Sequence, residues 1–198
     1  MIHDLDDTLK ALLQTYAPGN SLLASATISF DLPDLDWRNQ QQQLTLNCYL
    51  YDVRQNMTLR TDETLVVRSA DDTRATRIRP PVRIDCAYCI TAWSAAQTPL
   101  IAEEHRLLGD VLRLLIRFPT IPAAVLQGSL VGQFGPYPGL VAAQDGVKNQ
   151  PDFWSALDQR LKPSLNYIIT LAMLPDEIPN DADLPPTAGQ TVIDVGQK

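Results

Sequence analysis

Cys86-Ala87-Tyr88-Cys89 has the spacing of a redox pair or of half a zinc site. It is where chemistry would first be sought in this chain. The residues around it predict otherwise. Val82, Ile84, Cys86, Tyr88 and Ile90 alternate with Arg83, Asp85, Ala87 and Cys89, the period of a strand. Positions i and i+3 of a strand point to opposite faces, so the two sulfurs diverge. A redox pair sits at a helix start, where the thiolate is stabilised, but here β-favouring residues continue through Ile90-Thr91-Ala92-Trp93. No second cysteine pair completes a zinc site, and His3 and His105 lie far away in sequence. Three cysteines also make a poor disulfide framework. The pair is read as buried and structural.

Other chemistry fails for similar reasons. His105 stands beside Glu103 and Glu104, but no G-x-S-x-G supplies a nucleophile and no second histidine completes H-E-x-x-H. Asp31, Asp34 and Asp36 lack the glycine and closing glutamate of a calcium loop and read as a solvated turn. Gly128, Gly132, Gly135 and Gly139 are not closed by Gly-Lys-Ser/Thr, so they mark turns rather than a phosphate loop. No catalytic, cofactor-binding or metal-binding residue is assigned, and no cofactor is expected. Arg106, Asp110, Arg113 and Arg117 remain. Their spacing of 4, 3 and 4 lines them along one polar stripe of a helix. That stripe is either a solvated face carrying an Arg106–Asp110 pair or a docking surface for an acidic partner.

The elements that carry these residues follow from periodicity. A helix is expected over Asp4–Tyr16, with Asp4 as cap and Ile2, Leu5, Leu9, Leu12 and Leu13 as its apolar stripe. Pro18-Gly19-Asn20 ends it. Strands are expected over 25–30, over 44–53 with Leu44, Leu46, Cys48 and Leu50 on one face, over 82–93, and over 164–172. The polar stretch 54–79 reads as a long excursion between two strands, with Leu65-Val66-Val67 as an apolar island and short strand. Such a stretch is either ordered by a partner or simply flexible. Thr98 and Pro99 should open the main helix, Leu100–Phe118, which buries Leu107, Leu108, Val111, Leu112, Leu115 and Phe118. Another strand is expected over 124–131, and one or two helical turns over 152–157.

The fold class is therefore α+β: one mainly antiparallel sheet packed by an N-terminal helix and a long central helix, with an extended C-terminal tail. Residues 1–174 form the domain. Residues 175–198, acidic and rich in proline, form the tail, in which Val192, Ile193 and Val195 could add a strand to a neighbour's sheet edge. At 198 residues the chain can bury a full core without disulfides. A net charge of −7 disfavours nucleic acid as a partner. No apolar run of about 18 residues predicts a membrane span. The N-terminus lacks the basic and apolar regions of a secretion signal, so the chain is expected to begin in the cytoplasm.

Several segments, in order, resemble one family. They are Ile28-Ser29-Phe30-Asp31-Leu32-Pro33, Leu50-Tyr51-Asp52-Val53-Arg54-Gln55-Asn56, and Pro80-Pro81-Val82-Arg83-Ile84-Asp85 with Tyr88 and Thr91-Ala92-Trp93. Glu104-His105-Arg106-Leu107-Leu108-Gly109, Trp154-Ser155-Ala156-Leu157 and Arg160 to Tyr167 follow. Together they resemble the N-terminal domain of the cap, or tail-terminator, proteins of extracellular contractile injection systems. The resemblance covers about residues 1–174. It implies a bacterial, phage-tail-like particle with an inner tube, a contractile sheath and a baseplate. The cap would be a hexameric ring that ends tube growth and anchors the last sheath ring, with no chemistry of its own. Its implied partners are further copies of itself, the sheath protein and the inner-tube protein. It would assemble in the bacterial cytoplasm, and the finished particle stays there, docks on a membrane or is released. Some members of the family continue into a further C-terminal region, whose role is not implied for this sequence. Two alternatives stand beside this reading: an adaptor or completion protein elsewhere in such a particle, and a small cytoplasmic enzyme.

Overall fold

The computed structural model describes residues 1–61, 63, 65–68, 75–78, 80–95, 100–133, 135–144 and 146–174. Two units are distinguished: a main unit of residues 1–56 and 84–172, and a second of residues 57–83 and 173–198. In the second unit, β3 (Leu65–Arg68) and β4 (Ala75–Ile78) pair antiparallel. The expected island strand is thus one arm of a two-stranded ribbon. β4 escaped notice because Ala75-Thr76-Arg77-Ile78 has too little apolar content to signal a strand.

The main unit is α+β. Its five-stranded sheet has the order β1-β2-β5-β7-β6, built from β1 (Thr27–Ser29), β2 (Thr45–Gln55), β5 (Val82–Trp93), β6 (Gly139–Val141) and β7 (Leu165–Met173). β2 and β5 are antiparallel from Thr45↔Trp93 to Gln55↔Ile84, with one register shift between Leu50 and Asp52. β6 and β7 are also antiparallel, whereas β1 runs parallel to β2, so the sheet is mixed. The helices are α1 (Ile2–Tyr16), α2 (Leu35–Gln40), α3 (Leu100–Arg117) and α4 (Gln150–Ala156).

Strand alternation sorts the core into two clusters. Leu46 and Cys48 of β2, Cys86, Tyr88, Ile90 and Ala92 of β5, and Tyr167, Ile169 and Leu171 of β7 meet α1 and α3 in the larger one. α1 contributes Leu5, Leu9, Leu12 and Leu13, and α3 contributes Leu107, Leu108, Val111, Leu114 and Leu115. Cys89 and Trp93 join Trp154 and Leu157 in the smaller cluster, flanked by Trp37, Tyr51 and Phe153. Cys86 and Cys89 therefore lie on opposite faces and all three cysteines are free and buried. Burial pushes the Cys86 and Cys89 thiols up to about 11.

Several local expectations are corrected. α1 begins at Ile2 with Met1 at its cap position, so Asp4 lies inside the first turn. Asp4 pairs with the N-terminal amine at 2.8 Å and accepts a 2.6 Å bond from Ser129 Oγ, which together hold its carboxyl down at about 2. The strand expected over 124–131 is two 3-10 turns, Ala123–Val125 and Gly128–Leu130. These turns clasp α1: Gln127 N–H donates to Thr8 Oγ1 at 2.9 Å. The tertiary contact decides the local structure there, over the β propensity of Val125 and Val131. In α3, Leu114 is buried and Leu112 and Phe118 are half-buried. The expected cap Thr98 and Pro99 lie outside the described residues. Asp34 caps α2, accepting from Trp37 N–H at 2.8 Å, so part of the supposed turn is a helix start.

Two outcomes test this packing. The folded protein should show no thiol reactive toward a disulfide exchange reagent, and three after denaturation. A Cβ at Gly139 would run into Tyr167 Oη and stand 2.8 Å from its Cζ. Gly139→Ala should therefore cost about 1–3 kcal/mol of stability in a urea titration; an unchanged midpoint would contradict the β6–β7 packing.

Candidate interaction surface

α3 is positioned by three sets of contacts. Its buried leucines fill the larger cluster; at about 1.5–3 kcal/mol per buried side chain this is ample to dock the helix. Its first turn is tied to the end of β5: Glu104 Oε1 accepts from Ser94 N–H at 3.1 Å, and Ser94 Oγ is bonded to Glu103. Midway, Asp110 Oδ2 accepts from Leu22 N–H at 3.1 Å.

Glu104 also forms an ion pair with Lys162 Nζ at 3.0 Å, both side chains only 14% exposed. Lys162 donates to Ala92 O and sits 3.7 Å above the centre of the Trp93 ring. Arg38 of α2 lies 5.6 Å from the same ring. Trp37 and Trp154 approach Trp93 at 5.6 and 6.5 Å between centroids, and its indole N–H donates to Thr91 Oγ1 at 2.8 Å. Burial lowers the Lys162 ammonium, and Glu104 opposes that shift. Four of the segments that carried the family resemblance contribute here: Thr91–Trp93, Glu104, Trp154 and Lys162. The arrangement fixes α3 and the 158–164 loop to the sheet. A mostly buried, paired lysine stacked on a tryptophan holds structure and offers little to solvent.

The outer face of α3 does face solvent. Arg106, Arg113 and Arg117 are exposed, Arg113 by 81%. Arg117 lies over the Phe118 ring at 5.4 Å. Asp110 does not pair with Arg106 as the sequence suggested. The Leu22 bond turns it away, and Arg113 reaches it only at 3.9 Å. Sequence reasoning missed Ile101 and Ile116, 68% and 60% exposed on the same helix. Placing all residues on a helical wheel would have put both outside the buried stripe. The remaining expected surface residues, Val192, Ile193 and Val195, lie outside the described residues.

A cavity of about 210 Å³ lies between β2, β7 and α4, lined by Tyr51, Cys89, Phe153, Trp154, Ser164 and Asn166. Tyr51 Oη donates to Asn166 Oδ1 at 2.7 Å across it, and burial raises the Tyr51 hydroxyl. Its described lining residues include no Asp, Glu, His or Lys. Among the described residues, no three His, Cys, Asp or Glu side chains are grouped to hold a metal, and no helix is long and apolar enough to cross a membrane.

The geometry thus presents a rigidly held helix with an exposed basic and apolar face, on a fold shared with known proteins. Residues 4–188 match the Pvc16 N-terminal domain. The chain belongs to that family. Among solved structures, the Pvc16 N-terminal domain of this chain is similar to the sheath/tube terminator, in its extended state, of the extracellular contractile injection system PVC. The TM-score is 0.67 at 24% identity, covering 100% of this chain and 64% of that one. It is also similar to the tube terminating cap of the anti-feeding prophage, with a TM-score of 0.64 at 23% identity, covering 96% of this chain and 60% of that one. The chain accordingly spans less than two thirds of the length of either. At these identities the likeness establishes the fold. Comparison with curated proteins gave no match.

Removing one partner of the Glu104–Lys162 pair leaves a nearly buried charge. Lys162→Met should destabilise by ~3 kcal/mol, the low end for breaking a buried pair because both groups keep some exposure. Adding Glu104→Gln should restore part of the loss. All three tryptophans of the chain border this site, so their fluorescence during urea unfolding reads both variants. Equal stability of Lys162→Met and the native chain would show that the pair does not hold α3.

Proposed function

We propose that this chain is a structural cap, a terminator of the inner tube and sheath of a phage-tail-like contractile injection system. Family membership over residues 4–188 supports this reading, together with a fold shared over 100% and 96% of the chain with two proteins named as terminators. The family match carries most of the weight, because at 23–24% identity the likeness to solved structures shows the fold alone.

The mechanism is occlusion. A tube grows through a heterologous interface that stays open at its end, so growth continues until something that closes on itself covers that end. A hexameric ring of this chain does so, seated on the inner-tube protein and gripping the last ring of sheath protein. Residues 1–174 serve as the terminator-like domain and 175–198 as an extended tail. The task requires no catalysis, no cofactor, no nucleic acid and no membrane insertion. The ring is added in the bacterial cytoplasm while the particle is built. Arg106, Arg113 and Arg117 on α3, with Val192, Ile193 and Val195 in the tail, are the surfaces offered to partners. A rigid mount suits this role, and the Glu104–Lys162 pair and the Trp93 stack fix α3 in place.

Electron microscopy of particles from cells lacking the gene tests the proposal. Tubes of irregular length, or tubes without sheath, are expected. Particles of normal length with a normal distal end would overturn it.

A further inference from the structure

We propose that the outer face of α3 is the docking site for the acidic C-terminal segment, Asp176 to Val195, of a neighbouring copy of this chain. The inference rests on the ring reading above.

The face has two rows. Arg106, Arg113 and Arg117 form a basic row on one side of the helix, with Asp110, bonded to Leu22 N–H and 3.9 Å from Arg113, on the same side. Ile101 and Ile116, with half-buried Leu112 between them, form an apolar row on the other. Gly109 lies between the rows. A side chain there would meet nothing closer than Arg113 Nη2 at 3.8 Å, so the helix backbone can be approached directly. A well-matched occupant is an extended segment that carries both carboxylates and aliphatic groups.

The chain contains such a segment. Residues 175–198 hold five carboxylates, Asp176, Glu177, Asp181, Asp183 and Asp194, against one base, Lys198. Interleaved with them are Ile178, Leu184, Val192, Ile193 and Val195. Arginine suits carboxylates because its planar fork can pair bidentately. Prolines 175, 179, 185 and 186 favour extended backbone and lower the entropy lost on docking. Extended, the 20 residues from Asp176 to Val195 reach about 65–70 Å, whereas a domain of ~150 residues has a radius of gyration of about 15 Å. About eight extended residues cover the length of α3, so the remaining dozen or so are available to reach a neighbouring copy. In a closed ring each copy then gives one tail and receives one, so no docking face is left empty and no tail is left over. Docking of the tail on its own helix would satisfy the same charges without linking subunits.

The buried native cysteines leave a clean background for cross-linking. Two full-length variants, Ile116→Cys and Val192→Cys, are co-expressed in cells that make the particle, and purified particles are oxidised. A covalent dimer is expected well above the level given by either variant alone. It should fall at least fivefold when the Ile116→Cys chain also carries Arg106→Glu, Arg113→Glu and Arg117→Glu, and persist with lysine at all three. No dimer above the single-variant controls overturns the inference, as does a dimer indifferent to charge reversal. So does a double variant in one chain that cross-links only within itself. Absence of this chain from the particles would instead defeat the terminator reading, on which the inference depends. Particles that contain it but give no dimer would leave that reading standing and remove only the docking.

Discussion

The main unit depends on one strand being buried on both faces. From Cys86 onward every residue of β5 through Trp93 is buried. Cys86, Tyr88, Ile90 and Ala92 feed the larger cluster, while Cys89 and Trp93 feed the smaller. A strand in that position can serve only as the inner member of a sheet covered on each side. It forces helices onto both faces: α1 and α3 on one, the short α2 and α4 on the other. It also explains why the cysteine pair is inert. The same alternation that sends the two thiols apart removes each from water, and burial raises both.

This constraint determines what is left for a partner. α3 spends its apolar stripe on the sheet and its first turn on Ser94 and Lys162. Asp110 accepts from Leu22 N–H through Oδ2 and lies 3.9 Å from Arg113 through Oδ1, so it offsets only part of the arginine charge. What reaches solvent is a basic row beside exposed isoleucines on a helix that cannot easily shift. An acidic chain of net charge −7 that concentrates arginine on one fixed face has a surface well matched to an acidic segment. Surface pairs between scattered charges contribute little; three arginines held in register by a packed helix present a single target.

The long periodic elements were legible in the sequence because burial imposes their period directly. α1, α3, β2, β5 and β7 each bury a continuous stripe, and their residues alternate or recur accordingly. The rest was not legible for identifiable reasons. α2 is six residues long with no buried member, so it leaves no stripe; Asp34 and Trp37 signal it only through a cap. Residues 124–131 carry strand-like composition but fold as turns because they cover α1 through Thr8 and Asp4. β6 is three residues long, too short for alternation to show. On the candidate surface, the arginine stripe was readable from spacing alone. The fate of Asp110 was not, because its partner lies 88 residues away. Ile101 and Ile116 were readable in principle, as apolar residues outside the buried arc of the helix.

Taken as a cap, as proposed above, the chain presents α3 on a fixed mount. The most direct measurement is a cryo-EM reconstruction of both ends of the intact particle at a resolution that shows helices. The account predicts a closed ring of this fold at the end away from the baseplate, seated across the tube opening and in contact with the last sheath ring. A reconstruction with this fold at the baseplate, or with an open distal end while the chain is present in the preparation, would contradict it.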